Sequence, residues 1–146
     1  MSEPWPAQTG PYVAMAVFCQ RVDRQPDGTV DVVGVVDGVS VTPPDLEPPS
    51  SDATGVDAPA VIRLLGLVSV RAGRLRGRHL LSLKAHFPGG DEGAALTREV
   101  EFSDVAPGAT MSFPLELEAR EAGLYWFDVF FDDRPLTRMP LVVEHA

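Results

Sequence analysis

Three acidic residues near the end of the chain are the first candidates for chemistry, because neighbouring carboxylates can bind a metal ion or act as acid and base. They are Asp128, Asp132 and Asp133. Asp132 and Asp133 stand together in a turn-like stretch, where aspartate often hydrogen-bonds its own backbone. Asp128 lies among large apolar residues, so we expect it at the wet rim of an apolar surface or paired with an arginine such as Arg138, and favour the pair. These acids therefore predict a turn and an ion pair.

The histidines and the single cysteine form no recognisable motif. His79, His86 and His145 lack the spacing of zinc ligands, and no cysteine or acidic cluster accompanies them. Cys19 lies in an apolar stretch without an activating neighbour, which predicts a small buried side chain. The sequence contains no GxSxG, Walker, dinucleotide-binding or CxxC signature. We therefore expect a protein that is not an enzyme and has no cofactor and no metal site.

Positive charge is concentrated in one stretch, at Arg71, Arg74, Arg76 and Arg78. If this turn is extended, alternation places the last three on one side. A solvated hairpin tip is the simple interpretation, and a docking site for an acidic partner surface is the functional one. The formal net charge of -9 argues against nucleic acid or an anionic membrane as the main partner, since both attract basic surfaces.

The elements that must position these residues are predicted to be β-strands of one domain, residues 1–146. Valine-rich and alternating apolar segments at regular spacing, without a helix of three turns, favour a sandwich or barrel. Pro114 on an outward position suggests an edge strand or a bulge. The eight predicted strands are 12–22, 29–41, 60–70, 78–87, 96–103, 109–118, 123–131 and 135–144.

Residues 42–59 differ from the remainder of the chain. The stretch holds five prolines and four acids with few large apolar side chains, so it cannot bury enough surface to offset its ordering entropy. We expect a mobile loop, either simply disordered or binding a partner in polyproline II form. With no secretory signal at the N-terminus and no apolar run of membrane-spanning length, a cytoplasmic location is expected and a membrane partner is not.

The segment from Gly123 to Phe131 carries a resemblance. Gly-x-Tyr-x-Phe-x-Val followed by a short turn is similar to the F and G strands of immunoglobulin-like sandwiches. The resemblance implies that Tyr125 forms a tyrosine corner, its hydroxyl bonding backbone a few residues upstream. Phe127 stands where antibody domains carry a cysteine, so the likeness is to disulfide-free sandwiches. The expected fold is an immunoglobulin-like antiparallel β-sandwich.

Along its whole length the chain also resembles a bacterial family of small uncharacterised proteins. The matching stretches are Val17 to Val22, VFCQRV, and Glu121 to Val142, which includes GLYWFDV and LTRMPL. This resemblance implies a β-sandwich and brings no activity with it. One lysine, Lys84, beside eleven arginines fits a bacterial source with a GC-rich genome.

The strand from Gly123 to Phe131 is apolar on both faces. Alternation places Tyr125, Phe127, Val129 and Phe131 on one face and Leu124, Trp126, Asp128 and Phe130 on the other. The second face needs a cover, which could be an N-terminal arm with Trp5, the acidic loop, or another copy of the protein. We therefore expect an interaction or scaffold module, homodimeric or bound to another protein, that works through this second face. A small-ligand or carbohydrate-binding sandwich that uses Trp5, Trp126 and the long loop is the alternative.

Overall fold

The computed structural model describes residues 10–41, 60–119 and 121–145. All the regular secondary structure in these ranges is β-strand. The predicted loop at 42–59 and Trp5 lie outside the described residues. Within the described ranges there is no helix long and apolar enough to cross a membrane. The strands are β1 (Tyr12–Arg24), β2 (Val30–Val36), β3 (Gly38–Val41), β4 (Ala60–Arg71), β5 (Gly77–His86), β6 (Leu96–Phe102), β7 (Gly108–Ala119), β8 (Gly123–Phe131) and β9 (Arg134–His145).

The strands form two sheets. A four-stranded sheet has the order β2-β1-β4-β7, and a five-stranded sheet has the order β3-β9-β8-β5-β6. The pair β4–β7 and the trio β5–β8–β9 occupy the places of strands B and E and of strands C, F and G in immunoglobulin domains. The chain is therefore an immunoglobulin-like β-sandwich, as predicted. One detail of the prediction is wrong: β3 pairs with β9 in parallel, so the five-stranded sheet is not wholly antiparallel.

The single strand predicted at 29–41 is two strands that belong to different sheets. β2 pairs with β1, and β3 pairs with β9 after the chain crosses between the sheets at Asp37. The carbonyl oxygen of Asp37 accepts a hydrogen bond from the amide of Val142 at 3.1 Å. Gly38 permits this crossing, because a Cβ at that position would stand 3.1 Å from the carbonyl oxygen of Val142. Valines flank the break on both sides, so the sequence pattern does not reveal it.

The core lies between the two sheets and contains the face of β8 that was predicted to be internal. Tyr125, Phe127, Val129 and Phe131 are each at most 5% exposed. The ring of Phe18 in β1 meets the ring of Phe127 edge to face, with centroids 5.0 Å apart. Alternation also holds in β7, where Phe113 and Leu117 are buried and Pro114 is exposed on an edge strand, as predicted.

The hairpin of β1 and β2 bends back over the outer face of the four-stranded sheet. Pairing of β1 with β4 ends at Cys19 and Leu65, so a straight continuation would place Arg24 beside Ala60. Instead the Arg24 guanidinium donates to the carbonyl oxygen of Thr110, which pairs with Ser69. Ser69 and Ala60 are nine residues apart on β4, which at ~3.3 Å per residue is roughly 30 Å. An arginine side chain beside Ala60 could not span that distance. The hairpin must therefore fold back.

Gly34 marks the bend, and the fold-back explains two buried residues on an outward face. Gly34 has φ +69°, a conformation that favours glycine, and lies opposite Gln20. Leu67 and Cys19 are fully buried although neither belongs to the core cluster between the sheets. We infer that the hairpin covers Leu67 and Cys19, so these outward-facing residues of β4 and β1 have an intrachain cover. Burial raises the pKa of the Cys19 thiol, in keeping with the predicted role as a small buried side chain.

Candidate interaction face

The β8–β9 hairpin has a local hydrogen bond at one end and a tight turn at the other. The Tyr125 hydroxyl donates to the carbonyl oxygen of Glu121 at 2.7 Å, which is the tyrosine corner implied by the resemblance. At the other end Asp132 and Asp133 have φ of +47° and +65°, as a two-residue turn of type I′ requires. The acidic pair therefore has the turn role that was predicted. These constraints set the register of β8 against its neighbours.

That register lines up side chains on the outer face of the five-stranded sheet. Cross-strand neighbours on this face are Leu124 with Val142, Trp126 with Pro140 and with His86, Asp128 with Arg138 and with Lys84, and Phe130 with Pro135 and with Ser82. We call Leu124, Val142, Trp126 and Pro140 the apolar strip. It contains two of the four residues predicted to form an interaction face, and the other two, Asp128 and Phe130, continue the same row along β8.

Leu124, Val142 and Pro140 are the exposed part of this strip. Leu124 and Val142 are each 40% exposed, whereas Trp126 and Phe130 are half-buried. The guanidinium of Arg138 lies over the Trp126 ring, 5.0 Å from the centroid, and covers part of it. Of the four residues predicted to form the interaction face, Leu124 is therefore the most exposed. Val142 and Pro140 were missed because no face had been assigned to the last strand.

Asp128 is paired with Arg138, as predicted. Nε of Arg138 donates to Oδ1 of Asp128 at 2.6 Å across the hairpin. The second oxygen, Oδ2, lies 2.9 Å from Nε2 of His86, without the alignment of a hydrogen bond. His86 and the neighbouring Lys84 also contact Glu92, at 3.6 and 2.7 Å respectively. Two acids and two strong cations thus balance one another beside the apolar strip.

Lys84 and Glu92 close this charged cluster at its outer end. The hydrogen bond from the Lys84 ammonium is the main cause that lowers the pKa of the Glu92 carboxyl. Both side chains are partly exposed, at 34% and 51%, so the pair contributes little to stability. Its effect is to neutralise charge locally on a chain that is strongly acidic as a whole.

A shallow groove extends the apolar strip toward the edge of the sheet. It is lined by Asp37, Gly38, Val39, Ser40, Pro140, Val142 and Glu144. Gly38 has no side chain, so the floor of the groove is the side chain of Val142 and the backbone of β3. The groove and the strip form one continuous outward surface, with acidic groups at the β3 end.

The predicted basic patch at Arg74, Arg76 and Arg78 is largely satisfied within the chain. Nε of Arg76 lies 2.9 Å from the Asp104 carboxylate in the β6–β7 connection. Arg78 lies 3.6 Å from Glu99 and 3.9 Å from Glu101, both on β6. Arg74 is exposed. Acidic neighbours therefore face two of the three arginines, and docking of an acidic partner at this turn stays a prediction.

Metal ligands are not gathered in the described part of the chain. No group of three histidine, cysteine or acidic side chains that could hold an ion occurs there. The three histidines are separate: His79 contacts Asp132, His86 contacts Asp128, and His145 ends β9.

Comparison with known proteins finds no matching family and a likeness to solved structures. No protein-family model matches the chain. No curated protein matches it either. Among solved structures, the chain is similar to an immunoglobulin-like protein from Pseudomonas aeruginosa at 15% sequence identity, with a TM-score of 0.46 over 94% of this chain and 99% of that one.

Proposed function

We propose that this protein is a non-enzymatic interaction module that binds a protein surface through the apolar strip of the five-stranded sheet. The observation that carries the proposal is the cross-strand pair Leu124 and Val142, each 40% exposed on an outward face. On the four-stranded sheet, the outward-facing Leu67 and Cys19 are fully buried, whereas Val35 and Val61 are exposed. A contiguous exposed apolar strip is a common feature of interaction surfaces.

A second copy of this chain is the partner that we propose first. Two chains of formal charge -9 repel each other, so contact must occur where charge is locally balanced. On the β5 side of the strip, Asp128 and Glu92 are matched by Arg138 and Lys84, whereas Asp37 and Glu144 lie at its β3 end. A face of this kind can meet its own copy across a two-fold axis, with apolar residues in the centre and paired charges at the rim.

The alternative, a small-ligand or carbohydrate site beside Trp126, has less support. Such a site needs polar groups that are free to bind the ligand. Oδ1 of Asp128 already accepts a hydrogen bond from Arg138, and Arg138 also lies over the indole ring. Two of the polar groups nearest Trp126 are therefore engaged with each other.

We also propose that the chain is a cytoplasmic member of the uncharacterised bacterial family that it resembles. The support is the GLYWFDV and LTRMPL stretches, together with a lone buried cysteine that leaves no disulfide framework.

Light scattering with three proteins tests the interaction proposal. The wild type is compared with the double variant Leu124→Ser/Val142→Ser and with Val35→Ser, a control that removes a 61% exposed valine from β2 in the other sheet. We expect the wild type and the control to be dimeric at high micromolar concentration and the double variant to be monomeric. A monomeric wild type would rule out a second copy as the partner, and a double variant that still dimerises would place the interface elsewhere.

A further inference from the structure

His79 lies at one end of the sandwich, between two turns. Its ring stacks on Phe131 and tilts against Phe102, with centroids 5.0 and 5.7 Å away, and its side chain is 15% exposed. Nδ1 lies 2.5 Å from Oδ2 of Asp132 in the β8–β9 turn. Nε2 lies 3.0 Å from the carbonyl oxygen of Arg76 in the β4–β5 turn. Both ring nitrogens therefore face oxygen atoms at hydrogen-bond distance.

Only one protonation state of His79 satisfies both contacts. A carboxylate and a backbone carbonyl accept hydrogen bonds and donate none. Neutral imidazole has one N–H, so in either tautomer one nitrogen lone pair would face an oxygen. The imidazolium has an N–H on each nitrogen and makes both bonds.

We propose that His79 is a protonation-dependent clasp: as imidazolium it ties the β4–β5 turn to the β8–β9 turn, and on losing its proton it releases the β4–β5 turn. The bond to Asp132 is the one retained in the neutral state, because it is charge-assisted and its acceptor is fixed. Oδ1 of Asp132 accepts the Leu80 amide at 2.9 Å, and the Asp132 amide donates to the Leu80 carbonyl at 2.9 Å. Arg76 lies in the β4–β5 turn, where its side chain bonds the Asp104 carboxylate and the carbonyl oxygens of Gly73 and Leu75, and its own carbonyl is the group that is released.

The charged groups around the clasp favour the protonated state. Asp132 and Asp133 lie in the β8–β9 turn, and Arg134 begins β9. Arg76 is engaged with Asp104, and Arg78 lies on the opposite face of β5 with Glu99 and Glu101. The hydrogen bond to Asp132 is the main cause that raises the pKa of His79, and partial burial opposes it.

The sign of the pH dependence follows. Because the folded pKa of His79 lies above the value in the unfolded chain, the clasp contributes its full stability below the unfolded value of about 6.5. That contribution disappears as the pH rises through the folded pKa. The clasp therefore opens at a higher pH than that at which an ordinary histidine loses its proton. Since the released turn carries Arg74 and Arg76, the protonation state of His79 controls how firmly this basic turn is held.

Nuclear magnetic resonance of the full chain tests the clasp. Ring nitrogen shifts are followed from acid to alkaline pH, with His86 and His145 as references in the same spectra. We expect His79 to remain doubly protonated above the pH at which free histidine titrates. We also expect the amides of residues 73–77 to shift with the midpoint of His79. A neutral His79 at pH 6 would overturn the proposal. So would amide shifts of residues 73–77 that do not change as His79 titrates.

Two variants separate the clasp from a merely structural role. Asp132→Asn keeps the shape of the turn and an acceptor for the Leu80 amide but removes the carboxylate charge, so the midpoint of His79 should fall. His79→Phe keeps the stacking on Phe102 and Phe131, and should make the turn amides independent of pH and faster to exchange with solvent. An unchanged His79 midpoint in Asp132→Asn would contradict the clasp. If either variant fails to fold, the wild-type titration decides alone.

Discussion

Leu67 and Leu124 offer a matched test of the architecture, because both point outward from a sheet but only one is covered. Leu67 is fully buried and Leu124 is 40% exposed. Leucine to alanine removes three carbons, about 2.4 kcal/mol of transfer free energy when burial is complete. Leu67→Ala also leaves a cavity beneath the β1–β2 hairpin, which brings the expected loss to about 3 kcal/mol. For Leu124→Ala, three-fifths burial and no enclosed cavity give about 1.4 kcal/mol at most.

Equilibrium unfolding in urea measures both losses. The experiment is run at concentrations where the protein is monomeric, so that association does not add to the stability of the wild type. The midpoint should fall in both variants with an unchanged m-value, and the loss in Leu67→Ala should exceed that in Leu124→Ala by more than 1 kcal/mol. Equal losses, or less than about 1 kcal/mol for Leu67→Ala, would refute the fold-back of the hairpin over the four-stranded sheet.

Three further predictions follow from single contacts. Tyr125→Phe removes the hydrogen bond to Glu121 and leaves a carbonyl oxygen without its donor, so thermal and urea unfolding should show a loss of about 1 to 2 kcal/mol with the fold retained. Gly34→Ala forces a left-handed conformation on a residue with a side chain and brings its Cβ within 2.6 Å of the Gln20 side chain. Urea unfolding should show a loss of about 1 to 2 kcal/mol in the free energy of unfolding. A stability equal to that of the wild type would contradict the bend at Gly34. The hydrogen bond from the Leu80 amide is the main cause that lowers the pKa of Asp132 in the folded protein. The ionised carboxylate therefore stabilises the fold at a pH above its pKa in the unfolded chain, and this stabilisation is lost as the pH falls through the folded pKa. In acid unfolding, Asp132→Asn should lack the loss of stability that this titration causes in the wild type.

The features that local pattern specifies were predictable from the sequence. Alternation in β8 identified the buried face correctly because Tyr125, Phe127 and Val129 repeat with the two-residue period of a strand. The tyrosine corner joins two residues only four positions apart, Glu121 and Tyr125, so a motif could reveal it. The Asp128–Arg138 pair was predictable from opposite charges on the two strands of one hairpin, although a register shift between Val129 and Phe130 sets which residue lies opposite Asp128.

The features that depend on long-range geometry were not predictable in this way. The crossing at Asp37 lies between two valine-rich stretches, and only the approach of Val142 to Gly38 explains why the chain changes sheets there. His79 and Asp132 are 53 residues apart in the chain and meet only when β5 and β8 pair. To predict that Leu124 and Val142 lie side by side on the strip, one must know the register in which β9 pairs with β8.

The measurement that tests the central claim most directly is a concentration series of backbone and indole resonances of the wild type, from micromolar to millimolar. Our account predicts that the amides of Leu124 and Val142 and the indole N–H of Trp126 shift with concentration. Residues on the outer face of the four-stranded sheet, such as Val35, should stay constant. Shifts confined to the four-stranded sheet, or none on the apolar strip, would contradict an interaction face at this position.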